Sequence, residues 1–199
     1  RKTLLAALCA TALLPLSAAY AADSQQFPSE QGSITATPVA KGLDHPWALA
    51  FLPDQQGFLV TELPGHLRFV SPDGKLSAPL KGVPQVWAKG QGGLLDVVLS
   101  PDFKQDRLVY LSYAEGGGEG GKAGTAVGRG RLAADLSGLE DFKVILRQEP
   151  KLSTGNHFGS RLAFDRDGYL FVTLGENNGR PTAQDLDKLQ GKVVRISPD

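Results

Sequence analysis

A two-strand unit that recurs along the chain constrains its fold more than any other feature. Each copy has a short apolar run, a turn containing aspartate, and a second run rich in valine, leucine and aromatic residues. Apolar runs joined by such turns are typical of β-hairpins. The turns contain Asp54, Asp102 and Asp167. The second runs occupy residues 57–61, 107–112 and 168–173.

The spacing of these units predicts an all-β fold of the β-propeller type. The aspartates recur at intervals compatible with blades of ~40–50 residues, the second interval being lengthened by a glycine-rich insert at 115–124, which we expect to form a flexible surface loop. A second repeat, GHLRFVSPD at 65–73, matches GKVVRISPD at 191–199. A strand follows the first copy, so we expect the chain to be truncated at its C-terminus and to cover roughly three to four blades.

The N-terminal residues 1–22 are typical of a secretory signal peptide. Arg1 and Lys2 precede an apolar run at 3–16, and a small-x-small cleavage signal ends at Ala21. A membrane anchor is the alternative, but a span needs ~20 apolar residues and this run is shorter. Cys9 lies in the segment to be removed, so the mature chain would contain no thiol and would be periplasmic or secreted.

The remaining chain is predicted to have a polar leader at 23–38, interpreted as a leader or an irregular first strand, and a partial propeller at 39–199. No later stretch is apolar and long enough to span a membrane. The 21 basic and 21 acidic residues are balanced. Nucleic-acid binding needs a clustered basic excess, so we expect no such partner.

His157 and Glu176 form the candidate reactive pair. His157 lies in a glycine-flanked polar stretch before a predicted strand at 158–164, and Glu176 follows its predicted partner at 169–174. Antiparallel pairing brings the start of one strand beside the end of the other, so both residues should lie at the same end. A carboxylate beside an imidazole fixes its tautomer and stabilises the imidazolium, as a general base requires. A solvent-exposed turn role is the alternative for Glu176.

The other candidate residues carry weaker signals. Gln91 lies between glycines just before another predicted strand, and glycines that only shape a turn are the alternative interpretation. His45 lies just before a predicted strand and His66 lies in a predicted turn, and both are interpreted as structural. No other histidine is spaced as a metal partner of His157, so the pattern does not predict a zinc site.

Three longer motifs resemble the soluble aldose sugar dehydrogenases that depend on pyrroloquinoline quinone (PQQ), within the soluble quinoprotein glucose/sorbosone dehydrogenase family. The resemblance runs from about Val39 to Asp199. The motifs are GQGGLLD at 90–96 with SPDF at 100–103, GNHFGSRL at 155–162, and LGENNGRPTAQDLDKLQG at 174–191.

This resemblance implies a six-bladed propeller that binds PQQ together with calcium. His157 matches the histidine that removes the anomeric proton of an aldose as hydride passes to the quinone, giving a lactone. Glu176 matches its supporting carboxylate, and Gln91 and Asn156 are the expected cofactor-binding residues. The glucose-specific branch has aspartate at the positions of Asn156 and Glu176, so the resemblance favours broader aldose specificity. The electron acceptor is not implied.

The resemblance also places most cofactor and calcium ligands beyond residue 199, so this chain should hold no metal ligand and be inactive alone. Two other functions are compatible with the residues. One is a non-catalytic propeller that binds a sugar or a protein. The other is a calcium-dependent propeller lactonase, to which Asn156, Glu176 and Asn177 could supply oxygen ligands.

Overall fold

The computed structural model describes residues 24–117, 120–153 and 155–199. The predicted signal peptide at 1–22, with Cys9, lies outside the described residues. The chain divides between Val39 and Ala40 into two compact units.

The first unit contains one antiparallel hairpin, formed by β1 (Gln25–Ser29) and β2 (Gly32–Ala36). The polar composition of this segment predicted a leader or an irregular strand, whereas the hairpin is regular. Phe27 lies directly opposite Ile34, and this pair of large apolar residues supports the register despite the polar neighbours.

The second unit contains three antiparallel sheets whose strands follow one another in chain order. We call them the first, second and third blades. The first strands of the three blades lie side by side, with that of the second blade packed between the other two. This arrangement is a partial β-propeller and confirms the all-β expectation. The strands are β3 (Pro46–Phe51), β4 (Phe58–Glu62) and β5 (His66–Val70); β6 (Leu94–Leu99), β7 (Leu108–Gly116), β8 (Ala123–Leu132) and β9 (Leu139–Arg147); and β10 (Gly159–Phe164), β11 (Leu170–Leu174) and β12 (Lys192–Ile196).

Apolar side chains fill the two spaces between neighbouring blades. Leu59, Leu67 and Leu111 lie in the cluster between the first and second blades, and all three are fully buried. Val127 and Leu170 lie in the corresponding cluster between the second and third blades. Successive side chains of a strand point to opposite faces of its sheet, so the second blade turns one set of apolar side chains toward each neighbouring blade.

A hydroxyl group on the second strand ties the first blade to the second, and another ties the second blade to the third. Thr61 Oγ1 accepts a hydrogen bond from Ala48 N (3.0 Å) in its own blade and donates to Leu95 O (2.6 Å) in the second. Ser112 Oγ likewise accepts from Asp96 N (2.9 Å) and donates to Ser160 O in the third blade (2.7 Å).

These hydroxyls lie where the first strand of each blade is irregular, since the register shifts between Pro46 and Ala48, between Leu94 and Val97, and between Gly159 and Leu162. Because a bulge leaves backbone groups without ladder partners, the side-chain hydroxyls satisfy them instead. We call each such pair of bonds a hydroxyl clasp.

The glycine-rich insert differs from its predicted form, whereas the segment at 182–190 contains both of the forms that its sequence allows. The glycine-rich insert was predicted to be a flexible loop, but both its ends extend the β7–β8 ladder, where Glu115 pairs with Gly124 and Gly116 with Ala123. The polar sequence of residues 182–190 is compatible with a short helix or a loop, and in the structure a 3₁₀ helix covers Arg180–Gln184 and a loop follows. In the described part of the chain, no helix is long and apolar enough to cross a membrane.

Candidate functional site

Three loops meet at one end of the second and third blades and bring the candidate residues together. They precede β6, precede β10 and follow β11. Gln91 N donates to Gly155 O (2.6 Å), and Gln91 Oε1 accepts from His157 N (2.8 Å). The weak glycine–glutamine signal therefore marks the residue that joins the loop before β6 to the histidine loop.

His157 and Glu176 are in direct contact through Nδ1 and Oε1. The hydrogen bond from His157 holds the pKa of the Glu176 carboxyl below its ordinary value. The ionised carboxylate can only accept a hydrogen bond, so Nδ1 of the imidazole carries the proton. Nε2 is then left with a lone pair, on a side chain that is 41% exposed.

The backbone of His157 is held from two sides in an unusual conformation. Its φ is +56°, in the left-handed region that few non-glycine residues adopt. Gln91 binds its N–H, while Asn177 Nδ2 donates to the carbonyl oxygens of both Asn156 and His157, at 3.1 Å each. The predicted cofactor-binding Asn156 thus lies in the loop fixed by Asn177, a residue that was considered from the sequence only as an oxygen ligand in a lactonase.

Glycines allow the close approach of these loops. A Cβ atom on Gly175 would lie 1.7 Å from His157 O, so a side chain there would displace the histidine loop. A Cβ on Gly90 would lie 2.4 Å from Gly155 O, and Gly90 also has a φ of +59°. The glycines beside Gln91 and Glu176 are therefore required by the site's packing.

An apolar layer supports the loops from below. Phe158, which follows His157, is buried against Leu95, Ala114 and Ala123. The Trp87 ring packs on Phe158 with a centroid distance of 5.9 Å. This layer excludes water from the backbone beneath the reactive pair, while the imidazole itself faces solvent in part.

The other histidines pair with different carboxylates. His45 Nδ1 lies 2.5 Å from Asp44, with 77% of the His45 side chain exposed. His66 lies 3.2 Å from the buried Glu62. Among residues 24–117, 120–153 and 155–199, no group of three or more His, Cys, Asp or Glu side chains is arranged to hold a metal ion.

The fold and the site together define a β-propeller that carries a histidine–carboxylate pair on the loops at one end of its blades. The chain belongs to the Glucose / Sorbosone dehydrogenase family, whose model matches residues 43–199. It is 68% identical over 155 residues to the aldose sugar dehydrogenase YliI of Escherichia coli, covering 78% of this chain and 42% of that protein.

Solved structures agree with this assignment. The apo form of the soluble aldose sugar dehydrogenase from E. coli has a TM-score of 0.78 and 66% identity, covering 80% of this chain and 46% of that one. The PQQ-bound aldose sugar dehydrogenase from Streptomyces coelicolor has a TM-score of 0.70 and 31% identity, with the same coverage. The chain thus spans less than half the length of these relatives.

Proposed function

We propose that this chain is the part of a PQQ-dependent dehydrogenase that supplies the catalytic base for oxidising aldoses at the anomeric carbon. The observation that carries the proposal is the contact between His157 Nδ1 and the ionised Glu176, which leaves Nε2 as a proton acceptor. The names of the relatives, aldose sugar dehydrogenases in two organisms, supply the substrate class.

His157 Nε2 removes the proton of the anomeric hydroxyl, and Glu176 stabilises the resulting imidazolium. When bound, PQQ supplies the acceptor for the hydride of the anomeric carbon. The sugar loses two electrons and two hydrogens in the form of a hydride and a proton, and it leaves as a lactone. An external electron acceptor, unspecified by this chain, must reoxidise the cofactor.

The residues present fit such a group by their donor chemistry. PQQ has quinone oxygens and carboxylates, which are hydrogen-bond acceptors. Because Gln91 Oε1 is occupied by His157 N, the side chain offers its amide N–H groups as donors beside the reactive histidine. Gln91 and Asn156 are therefore the proposed cofactor-binding residues. Most other residues that bind the cofactor, and the ligands of the calcium ion, are proposed to lie outside residues 1–199.

The test uses the protein expressed from its complete open reading frame without residues 1–22. Dye reduction is measured with a panel of aldoses, with and without PQQ and calcium. Sugar-dependent reduction that requires PQQ is the expected result. The same assay on the chain 1–199 alone should show no turnover.

Two outcomes would contradict the proposal and favour the other functions. Saturable sugar or protein binding without PQQ binding would indicate a non-catalytic propeller. Calcium-dependent ester hydrolysis without PQQ would indicate a lactonase that uses Asn156, Glu176 and Asn177. Each outcome has its own readout, so the three functions are distinguished by one set of samples.

The proposal includes export, because residues 1–22 have the charged, apolar and small-residue regions of a signal peptide. The mature protein should be recovered from the periplasm or medium and begin at Ala22 or Asp23. N-terminal sequencing of that protein checks the cleavage, and an uncleaved N-terminus would contradict it.

A further inference from the structure

Two buried polar side chains of the second blade reach across to the loops that carry His157 and Glu176. Thr125 lies on β8 and Gln148 directly follows β9, and each residue is only 1% exposed. Thr125 Oγ1 donates to Phe158 O (2.5 Å), the carbonyl next to His157. Gln148 Nε2 donates to Gly175 O (2.6 Å), the carbonyl next to Glu176.

The two side chains are coupled to each other. Gln148 Oε1 accepts from Thr125 N (3.1 Å), and Gln148 N donates to Thr125 O (2.8 Å). Both ends of the Gln148 amide are therefore used, which fixes its orientation. We call Thr125 and Gln148 the buried fork. Its two prongs are their side chains: Thr125 holds the loop, or arm, that carries His157, and Gln148 holds the arm that carries Glu176.

Within the third blade, Asn177 holds the histidine loop through its N–H (3.3 Å) and its Nδ2 (3.1 Å), which both donate to His157 O, but the strand pairing beneath the two loops is irregular. Gly175 N donates to Phe158 O (3.1 Å), and Gly159 lies opposite Leu174. The register then shifts, and regular pairing resumes only at Leu162. The ladder between β10 and β11 is thus irregular directly beneath the loops that must hold an imidazole against a carboxylate.

We propose that Thr125 and Gln148 are positioning residues that set the distance and angle between His157 and Glu176. This inference rests on the proposed function, since it assigns the fork a purpose in the same reaction. The prongs act only through the two backbone carbonyls. A shift of one arm would weaken the contact at Nδ1 and misplace Nε2, and misplacements of ~1 Å can cost about 100-fold in rate.

The chain offers a matched control for the loss of a buried hydroxyl. Thr61 is fully buried, and its Oγ1 donates to Leu95 O (2.6 Å) in a clasp between the first and second blades. Thr61→Val and Thr125→Val each remove one such hydroxyl with little change in volume. Only Thr125→Val removes a hydrogen bond to Phe158, the residue adjacent to His157.

The test compares Thr125→Val, Thr125→Ser and Thr61→Val in the protein from the complete open reading frame. The ¹⁵N signals of the His157 ring are recorded without cofactor, after assignment with a His157→Asn variant, and kcat and KM are measured with cofactor. We expect Thr125→Val to shift the Nδ1 signal and lower kcat about tenfold or more with KM little changed. Thr125→Ser should have the parent's Nδ1 signal and kcat, and Thr61→Val should change neither the signal nor kcat.

A Thr125→Val protein with ring signals and kcat equal to those of Thr61→Val would overturn the proposal, because the fork would then be merely structural. If Thr125→Val does not fold, Gln148→Leu removes the other prong and is held to the same criteria. The ring signals do not depend on turnover. A parent protein that oxidises no sugar would therefore contradict the proposed function while leaving the positioning test intact.

Discussion

At the scale of single residues, the site depends on a histidine held in a conformation that it would rarely adopt alone. A left-handed φ on a residue other than glycine costs of the order of 1–3 kcal/mol and persists only where neighbours enforce it. Gln91 and Asn177 do so through the N–H and the carbonyl of His157. The backbone of His157 is thereby fixed by contacts that do not use its ring, while Glu176 contacts the ring at Nδ1.

Replacing His157 by asparagine should remove the base while keeping the backbone, because asparagine tolerates left-handed φ. We expect kcat to fall about 10²–10⁴-fold with a modest loss of PQQ affinity. His45→Asn is the control, since His45 also has a positive φ (+47°) and is highly exposed. Steady-state kinetics of the two variants check the prediction. Equal turnover in His157→Asn and the parent would exclude His157 as the base.

Replacing Glu176 by glutamine should lower turnover less than loss of the imidazole. The neutral amide can still accept a hydrogen bond but no longer stabilises the imidazolium. The acid limb of the pH–activity profile should therefore move to lower pH. A profile that superimposes on that of the parent would remove Glu176 from the mechanism.

The same substitution has a consequence for stability. The pKa of Glu176 is lowered in the folded protein, chiefly by the hydrogen bond from His157. This stabilisation is present above the ordinary glutamate pKa and is lost as the pH falls through the lowered folded value. In the parent, the urea midpoint of unfolding should fall as the pH is lowered through the folded pKa of Glu176. In Glu176→Gln that contribution to the fall should be absent, and urea titrations at several pH values measure the difference.

At the scale of elements, the site is set by how closely two turns can approach. The predicted β10–β11 hairpin is confirmed and brings His157 and Glu176 to the same end. The pattern of apolar residues and turns was sufficient to predict this. It did not predict the continued ladder at the glycine-rich insert, because extended pairing there depends on the partner strand.

Gly175→Ala tests this close approach. An added Cβ would lie 1.7 Å from His157 O, so the loops must separate, at a cost of about 1–3 kcal/mol. We expect a lower unfolding midpoint and a lower kcat. Gly117→Ala is the control, since its Cβ would make only ordinary contacts, the nearest at 3.5 Å. Equal midpoints for the two variants would contradict the packing argument.

At the scale of the whole molecule, buried polar groups join the blades. Asp96 on β6 accepts hydrogen bonds from Leu162 N (2.7 Å) and from the Arg161 guanidinium (3.2 Å), both in the third blade. The Asp96 side chain is 4% exposed, whereas that of Arg161 is 73% exposed. The bond to the backbone is therefore the stronger connection, because solvent screens the ion pair.

Asp96→Asn should lower the free energy of unfolding by about 1–3 kcal/mol. Both carboxylate oxygens of Asp96 accept hydrogen bonds, whereas the asparagine amide has only one oxygen that can accept them. Arg161→Gln should cost less than about 1 kcal/mol. Urea unfolding of both variants measures the difference. A larger effect for Arg161→Gln would show that the ion pair, rather than the backbone bond, joins the second and third blades.

The sequence predicted the propeller class, the hairpins and the pairing of His157 with Glu176, because these follow from local patterns and one antiparallel contact. It did not reveal Thr125, Gln148 or Asn177 in their structural roles. Their partners are backbone atoms. Every residue has a backbone carbonyl, so the residue type does not indicate which carbonyl accepts a hydrogen bond. Contacts from side chain to distant backbone are thus the part of the site that residue patterns predict least.

The hydroxyl clasps have an evolutionary consequence for the same reason. Thr61 and Ser112 recognise the next blade through carbonyl groups, which every residue possesses. The side chains at Leu95 and Ser160 can therefore change without loss of these two hydrogen bonds. These two hydrogen bonds therefore constrain the hydroxyl-bearing residue but not the side chain of the residue whose carbonyl accepts them.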